Sequence, residues 1–190
     1  MTKKVVYQTL EDRENPDYIE SDGPFPCKRL NAWLGEGFYF WDTFIENAHW
    51  WGSEGANYND GYVICKSECD FTDEKCFDLV GNTEHILEFA KAIKLMKEKG
   101  LYNDQTTVAR IIYHLKDVLK MFNYEASRVY GVKSKLLNSK FSACINFLPS
   151  KPQYLDILPA IQICFYKKKS LNLRNYKIVF PDEYIDGYGI

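Results

Sequence analysis

A change of hydrophobic period in mid-chain constrains the fold most. From about Glu84 to Lys99, Ile86, Ala90, Ile93 and Met96 recur at three-four spacing, Asn82 or Thr83 is placed to cap the run, and Gly100 to stop it. A second run follows, with Thr106 or Thr107 as its cap. Val108, Ile111, Ile112, Leu115, Val118, Leu119 and Phe122 form its wide apolar stripe. On either side the pattern is that of strands: Val5–Leu10, Phe38–Trp41, Tyr62–Cys69 and a short Cys76–Val80 before the helices. After them come the end of 124–131, then Phe141–Leu148, Ile161–Tyr166 and Tyr176–Phe180. Strands at both ends around a helical pair predict an α+β protein.

At 190 residues the chain fits one domain, 1–190, with 84–122 as a helical insertion or flanking lobe. The remaining connections read as loops: charged and proline-containing from 11 to 16, turn or extended through residue 28, and basic at Lys133–Lys140. That basic loop either touches a phosphate or is simply solvated. A net charge of -2 supplies no general reason to bind nucleic acid. No apolar run approaches bilayer length, so we expect no membrane association and a cytoplasmic protein, or one exported without a cleaved signal.

Six cysteines, mostly within apolar runs, read as reduced buried thiols, and their spacing lacks a CxxC pair, which argues against a metal site. Only three histidines are present, with no Gly-x-Ser-x-Gly elbow, Walker loop or HExxH. His85 and His114 are expected at surface or partner-facing positions of their helices.

The stretch best suited to a small-molecule pocket is Gly35-Glu36-Gly37-Phe38-Tyr39-Phe40-Trp41-Asp42, continuing through Asn47 and Trp50 to Gly52. Its glycines let the backbone bend or approach a neighbour closely. The aromatics that follow offer flat faces for a planar ring. A helix of roughly 44–52 should follow, capped by Asp42 or Thr43.

With these pieces in order the chain resembles the ADP-ribosyltransferase superfamily, in its diphtheria-toxin and poly(ADP-ribose) polymerase-like branch, and small bacterial and phage proteins of the same layout. In that branch a first strand carries His-Gly-Ser/Thr, a second Gly-x-Gly-x-Tyr-Phe, and a late strand the catalytic glutamate. Gly35 to Asp42 is similar to the second motif without a gap, and the likeness continues through the helix and the strand ending at Cys69. The resemblance implies a split β-sheet core and NAD+ as substrate. It places Tyr39 and Trp50 as a nicotinamide sandwich and Asn47 at the carboxamide.

The other two motifs depart from the pattern, giving Gln-Tyr-Gln where the family has His-Tyr-Glu. Gln8 stands at the histidine position, where a ribose hydroxyl is bound, and Thr9 at the glycine whose backbone pairs with the carboxamide. Gln162 stands at the catalytic glutamate. An amide can hold the ribose 2′-hydroxyl but brings no negative charge to an oxocarbenium-like state. A loss of ~2.7–4 kcal/mol of such stabilisation corresponds to ~10²–10³ in rate.

The resemblance therefore implies an NAD+-dependent mono-ADP-ribosyltransferase, catalytic through Gln162 and Tyr39, acting on a protein or nucleic-acid acceptor. Two alternatives stay open: a catalytically degenerate NAD+-binding module, and an NAD+ glycohydrolase serving as a toxin or defence effector.

Overall fold

The computed structural model describes residues 1–132 and 143–185, without the Val132 side chain, so the expected basic loop at 133–140 lies outside the described residues. Its strands are β1 (Thr2–Glu11), β2 (Phe38–Asp42), β3 (Tyr62–Phe71), β4 (Cys76–Asp78), β5 (Ala126–Val132), β6 (Cys144–Asn146), β7 (Tyr154–Asp156), β8 (Ala160–Phe165) and β9 (Arg174–Phe180). Helices α1 (Pro16–Asp22), α2 (Ile45–Trp50), α3 (Thr83–Glu98) and α4 (Val108–Tyr113) join them, α2 and α4 each running on into a wider π-type turn. This is an α+β fold with one large, mostly antiparallel sheet in the order β4-β5-β8-β2-β1-β3-β9, and β6 and β7 as a separate pair.

The helical pair connects two neighbouring strands of the sheet. β4 and β5 are adjacent and parallel, and parallel neighbours need a long crossover; α3 and α4 provide it. Asn82 caps α3 by accepting from the Glu84 and His85 N–H groups, and Thr107 caps α4 by accepting from Arg110 N–H, as their positions predict. Ala92, Met96, Ile111 and Leu115 form the seam between the helices. The expected surface histidines are buried. His85 accepts from the Asp78 N–H at 3.0 Å, and His114, at the turn that continues the second helix, is 6% exposed.

A further difference lies at residues 16–22, where turn or extended backbone is expected and α1 forms. Pro16 starts it, its fixed φ and absent N–H being harmless in a first turn. Ile19 anchors it to Val63, Cys65 and Ile178.

The seven strands of the main sheet are hydrogen-bonded in one continuous order. Among the described residues the pairing parts at the β1/β2 seam. β1 pairs with β3 along its whole length, from Thr2↔Phe71 to Glu11↔Tyr62, but with β2 only at Val6↔Asp42 and Tyr7↔Trp41. Beyond Tyr7 the two strands separate. The segment ending at Cys27 takes up β2's vacated edge, Cys27 N–H donating to Gly37 C=O at 2.7 Å.

What holds β2 against this opening is a buried ionic network. The Asp42 carboxylate, 2% exposed, accepts from Lys4 Nζ on β1 (3.0 Å) and from Arg128 Nε on β5 (2.7 Å). Arg128 Nη1 also donates to both Asp78 oxygens at 3.1 Å. Burial works against the Arg128 charge, but Asp42 and Asp78 outweigh it and hold its pKa above the ordinary guanidinium value. Because Asp42 is engaged here, neither it nor Thr43 caps α2, which starts after Phe44 with no side-chain cap.

Candidate functional site

Where β1 leaves β2, a cleft of about 530 Å³ opens. Backbone alternation sets its chemistry. Val5 C=O accepts from Thr43 N–H across the β1/β2 seam, so Tyr7 and Thr9 point their backbone groups to the same edge. With the ladder ended at Tyr7↔Trp41, the Thr9 N–H and C=O lie at the mouth of the parting.

β2 supplies the opposite wall, and its glycines have distinct reasons. Gly35 sits at φ +87°, a left-handed turn that strains other residues. Gly37 is needed for space, since a Cβ there would meet Cys164 Sγ and the Phe165 carbonyl. Tyr39 staples this turn to the strand: its hydroxyl donates to Gly35 C=O at 2.7 Å and accepts from Leu34 N–H at 2.8 Å. Burial first of all pushes the Tyr39 phenol far above its usual range, so it stays neutral.

Of the residues the sequence singles out, Gln8, Thr9, Tyr39 and Gln162 line the cleft, whereas Asn47 and Trp50 do not. Asn47 is buried and donates through Nδ2 to Pro159 C=O at 3.1 Å, tying α2 to the entry of β8. Trp50 packs edge-on against Trp41 with Ala48, Ile64 and Ala160, while the Tyr39 ring belongs to a separate cluster with Leu34, Ile112 and Cys164. Tyr39 and Trp50 are thus not brought together as a sandwich. The indoles that do line the cleft are Trp33, Trp41 and Trp51, the last two with ring centroids 6.1 Å apart. The sequence holds a signal for Trp41, which shares a strand face with Tyr39 two residues away.

The polar side chains divide sharply. Gln8 is saturated: Oε1 accepts from Phe25 N–H (3.0 Å) and the Tyr176 hydroxyl (2.8 Å), and Nε2 donates to the Phe25 (2.8 Å) and Tyr39 (3.4 Å) carbonyls. It replaces ladder bonds where the strands part, and holds the segment through Phe25 as a wall. Thr9 Oγ1 donates to Ala48 C=O at 2.9 Å, fastening β1 to α2. Gln162 has no such partner. It is 8% exposed, opens on the cleft opposite Trp41 in the β2/β8 register, and its amide makes no hydrogen bond among the described residues. Its donor and acceptor therefore face the cleft rather than the protein.

Charge enters the lining through Glu11, Arg13, Lys28 and Arg29, none of which the sequence reading identified. These positions carry no motif; only the fold gathers them. Among the described residues no group of His, Cys, Asp and Glu could hold a metal ion, and no helix is long and apolar enough to cross a membrane. Comparison with known proteins adds no relative: no family model matches the chain, and neither a curated protein nor a solved structure is significantly similar to it.

Proposed function

We propose that this chain binds NAD+ in the cleft where β1 and β2 part, and that it is a mono-ADP-ribosyltransferase of the diphtheria-toxin and poly(ADP-ribose) polymerase type acting on a protein or nucleic-acid acceptor. Gln162 carries the reading. Its amide has no hydrogen-bond partner among the described residues and opens on a cleft of about 530 Å³, where it is free to bond a ligand, and the sequence resemblance aligns it with the family's catalytic glutamate. Its carbonyl accepts from the ribose 2′-hydroxyl. The Thr9 backbone N–H and C=O complement a carboxamide, and the half-buried Trp51, backed by Trp41, offers a flat face of the kind assigned from sequence to Tyr39 and Trp50.

In the reaction the bond between nicotinamide N1 and ribose C1′ breaks, and its electron pair leaves with nicotinamide. The acceptor's nucleophile bonds to C1′ and releases its proton to solvent. Gln162 orients the sugar without supplying negative charge, so turnover is slow.

Two observations favour the binding-module alternative as a second reading. The Gln8 amide is consumed by Phe25, Tyr39 and Tyr176, and Glu11, the one carboxylate among the described lining residues, is engaged by Arg13. Hydrolysis by an NAD+ glycohydrolase effector differs only in water replacing the acceptor.

Nicotinamide release from NAD+ by wild type, Gln162→Ala and Gln162→Glu, with calorimetric NAD+ titration of each, separates these. We expect slow release in wild type, none in the alanine variant, and release faster by ~10²–10³ in the glutamate variant. Binding without release in wild type and Gln162→Glu alike leaves the module; no binding removes both readings.

A further inference from the structure

The cleft is electrically lopsided along its length. Gln162 is level with Trp41 and Tyr7 in the strand register. Glu11 lies four residues further along β1, about 13 Å away at strand rise, and Arg13 just beyond it. On the opposite wall Cys27 is bridged to Gly37, four residues along β2 from Trp41, and Lys28 and Arg29 follow directly. One end of the cleft is therefore neutral and aromatic, while the other carries three cations and one carboxylate in its lining.

That carboxylate is already used. Glu11 Oε2 accepts from Arg13 Nε at 3.1 Å and Nη2 at 2.8 Å, which orients the guanidinium and leaves Nη1 unbonded among the described residues. Lys28 and Arg29 are exposed, and make no ion pair or side-chain hydrogen bond among the described residues. Like charges facing one recess repel one another and attract an anion. Guanidinium and ammonium groups together suit phosphate oxygens.

We propose that Arg13, Lys28 and Arg29 form a subsite for a diphosphate ester, so that the cleft holds a dinucleotide lengthwise, its uncharged end at Gln162 and its diphosphate at the cationic lip. This rests on the NAD+ reading above for what occupies the neutral end. The lip itself requires only an anion of diphosphate size.

Trp33, Trp41 and Trp51 line the cleft and report occupancy through tryptophan fluorescence. Wild type and the Lys28→Ala/Arg29→Ala double variant are titrated with NAD+, ADP, nicotinamide and a short single-stranded oligonucleotide. Both substitutions fall on exposed side chains without bonds, so the variant keeps its fold. We expect ADP and NAD+ to bind wild type and to weaken about tenfold in the variant, as for two exposed charge contacts. Added salt weakens ADP but not nicotinamide. ADP binding that is equal in the two proteins overturns the subsite, as does an oligonucleotide that outcompetes ADP and is lost in the variant. NAD+ binding that ignores the variant removes the lip and keeps the NAD+ reading, whereas ADP binding without NAD+ binding keeps the lip and removes that reading.

Discussion

Replacing Gln162 by leucine separates stability from ligand binding. The amide is 8% exposed and without a partner among the described residues. A buried polar group left unsatisfied costs about 1–3 kcal/mol. Water reaches the Gln162 amide from the cleft, so its cost lies at or below the low end, at most about 1 kcal/mol. Leucine is of similar volume and shares a sheet face with its cross-strand partners Trp41 and Val129, so the substitution should stabilise the protein by up to that amount. For a chain of this size 1 kcal/mol is worth about 2–4 °C in Tm. The same change should abolish tryptophan quenching by NAD+, because leucine cannot bond a hydroxyl. Urea unfolding followed by circular dichroism, with the midpoint compared at constant slope, reads the first effect. A Gln162→Leu protein that is 1 kcal/mol or more less stable than wild type would mean that the amide is satisfied in the native state, and the case for a site held open for ligand would collapse.

Three other outcomes follow from the geometry. Asp42→Asn removes the charge shared by Lys4 and Arg128 in a buried network; since Arg128 keeps Asp78, we expect the lower end of the range for breaking a buried pair, about 3 kcal/mol, and a smaller loss in a Lys4→Met background by double-mutant cycle. Burial pushes the Cys65, Cys69 and Cys164 thiols up to about 12 and Cys76 higher still, so a thiol-specific chromogenic reagent at pH 8 should react with Cys27 and Cys144 in the native protein and with the other four only on unfolding. The Leu171 N–H first, and then Lys75, holds the Glu125 carboxyl below its ordinary value of 4.5. A depressed carboxylate stabilises the fold above its unfolded pKa and loses that contribution as pH falls through the folded one. Glu125→Gln should therefore flatten the stability profile below about pH 4.5, modestly because the side chain is partly solvated. An unchanged acid limb contradicts that assignment.

Local periodicity and capping chemistry by themselves settled the α+β class and most elements. The three-four spacing from Ile86 to Phe122, stopped by Gly100 and capped by Asn82 and Thr107, reads directly as α3 and α4 because helix formation depends on neighbours within a turn. The β-branched and aromatic runs likewise announced β1, β2, β3 and β8. Helix α1 was hidden because a seven-residue helix has too little period to see, and its anchor, Ile19, meets partners on β3 and β9.

The candidate site was legible only in part, for the same physical reason. Gly35, Gly37 and Tyr39 form a local unit whose turn, close approach and hydroxyl staple all act within a few residues of one another. Which side chains face ligand depends on what else competes for their hydrogen bonds. Gln8, Thr9 and Asn47 are polar residues at suggestive positions, yet Phe25, Ala48 and Pro159 claim their polar atoms across sequence separations that no pattern encodes. Gln162 is left vacant by the same accounting. The end of the β1/β2 ladder at Tyr7, which opens the cleft and brings Arg13, Lys28 and Arg29 to one lining, is a property of the assembled sheet. Residue type along the chain determined what each strand and helix could be; the tertiary fold decided which of their polar groups remain to bind anything else.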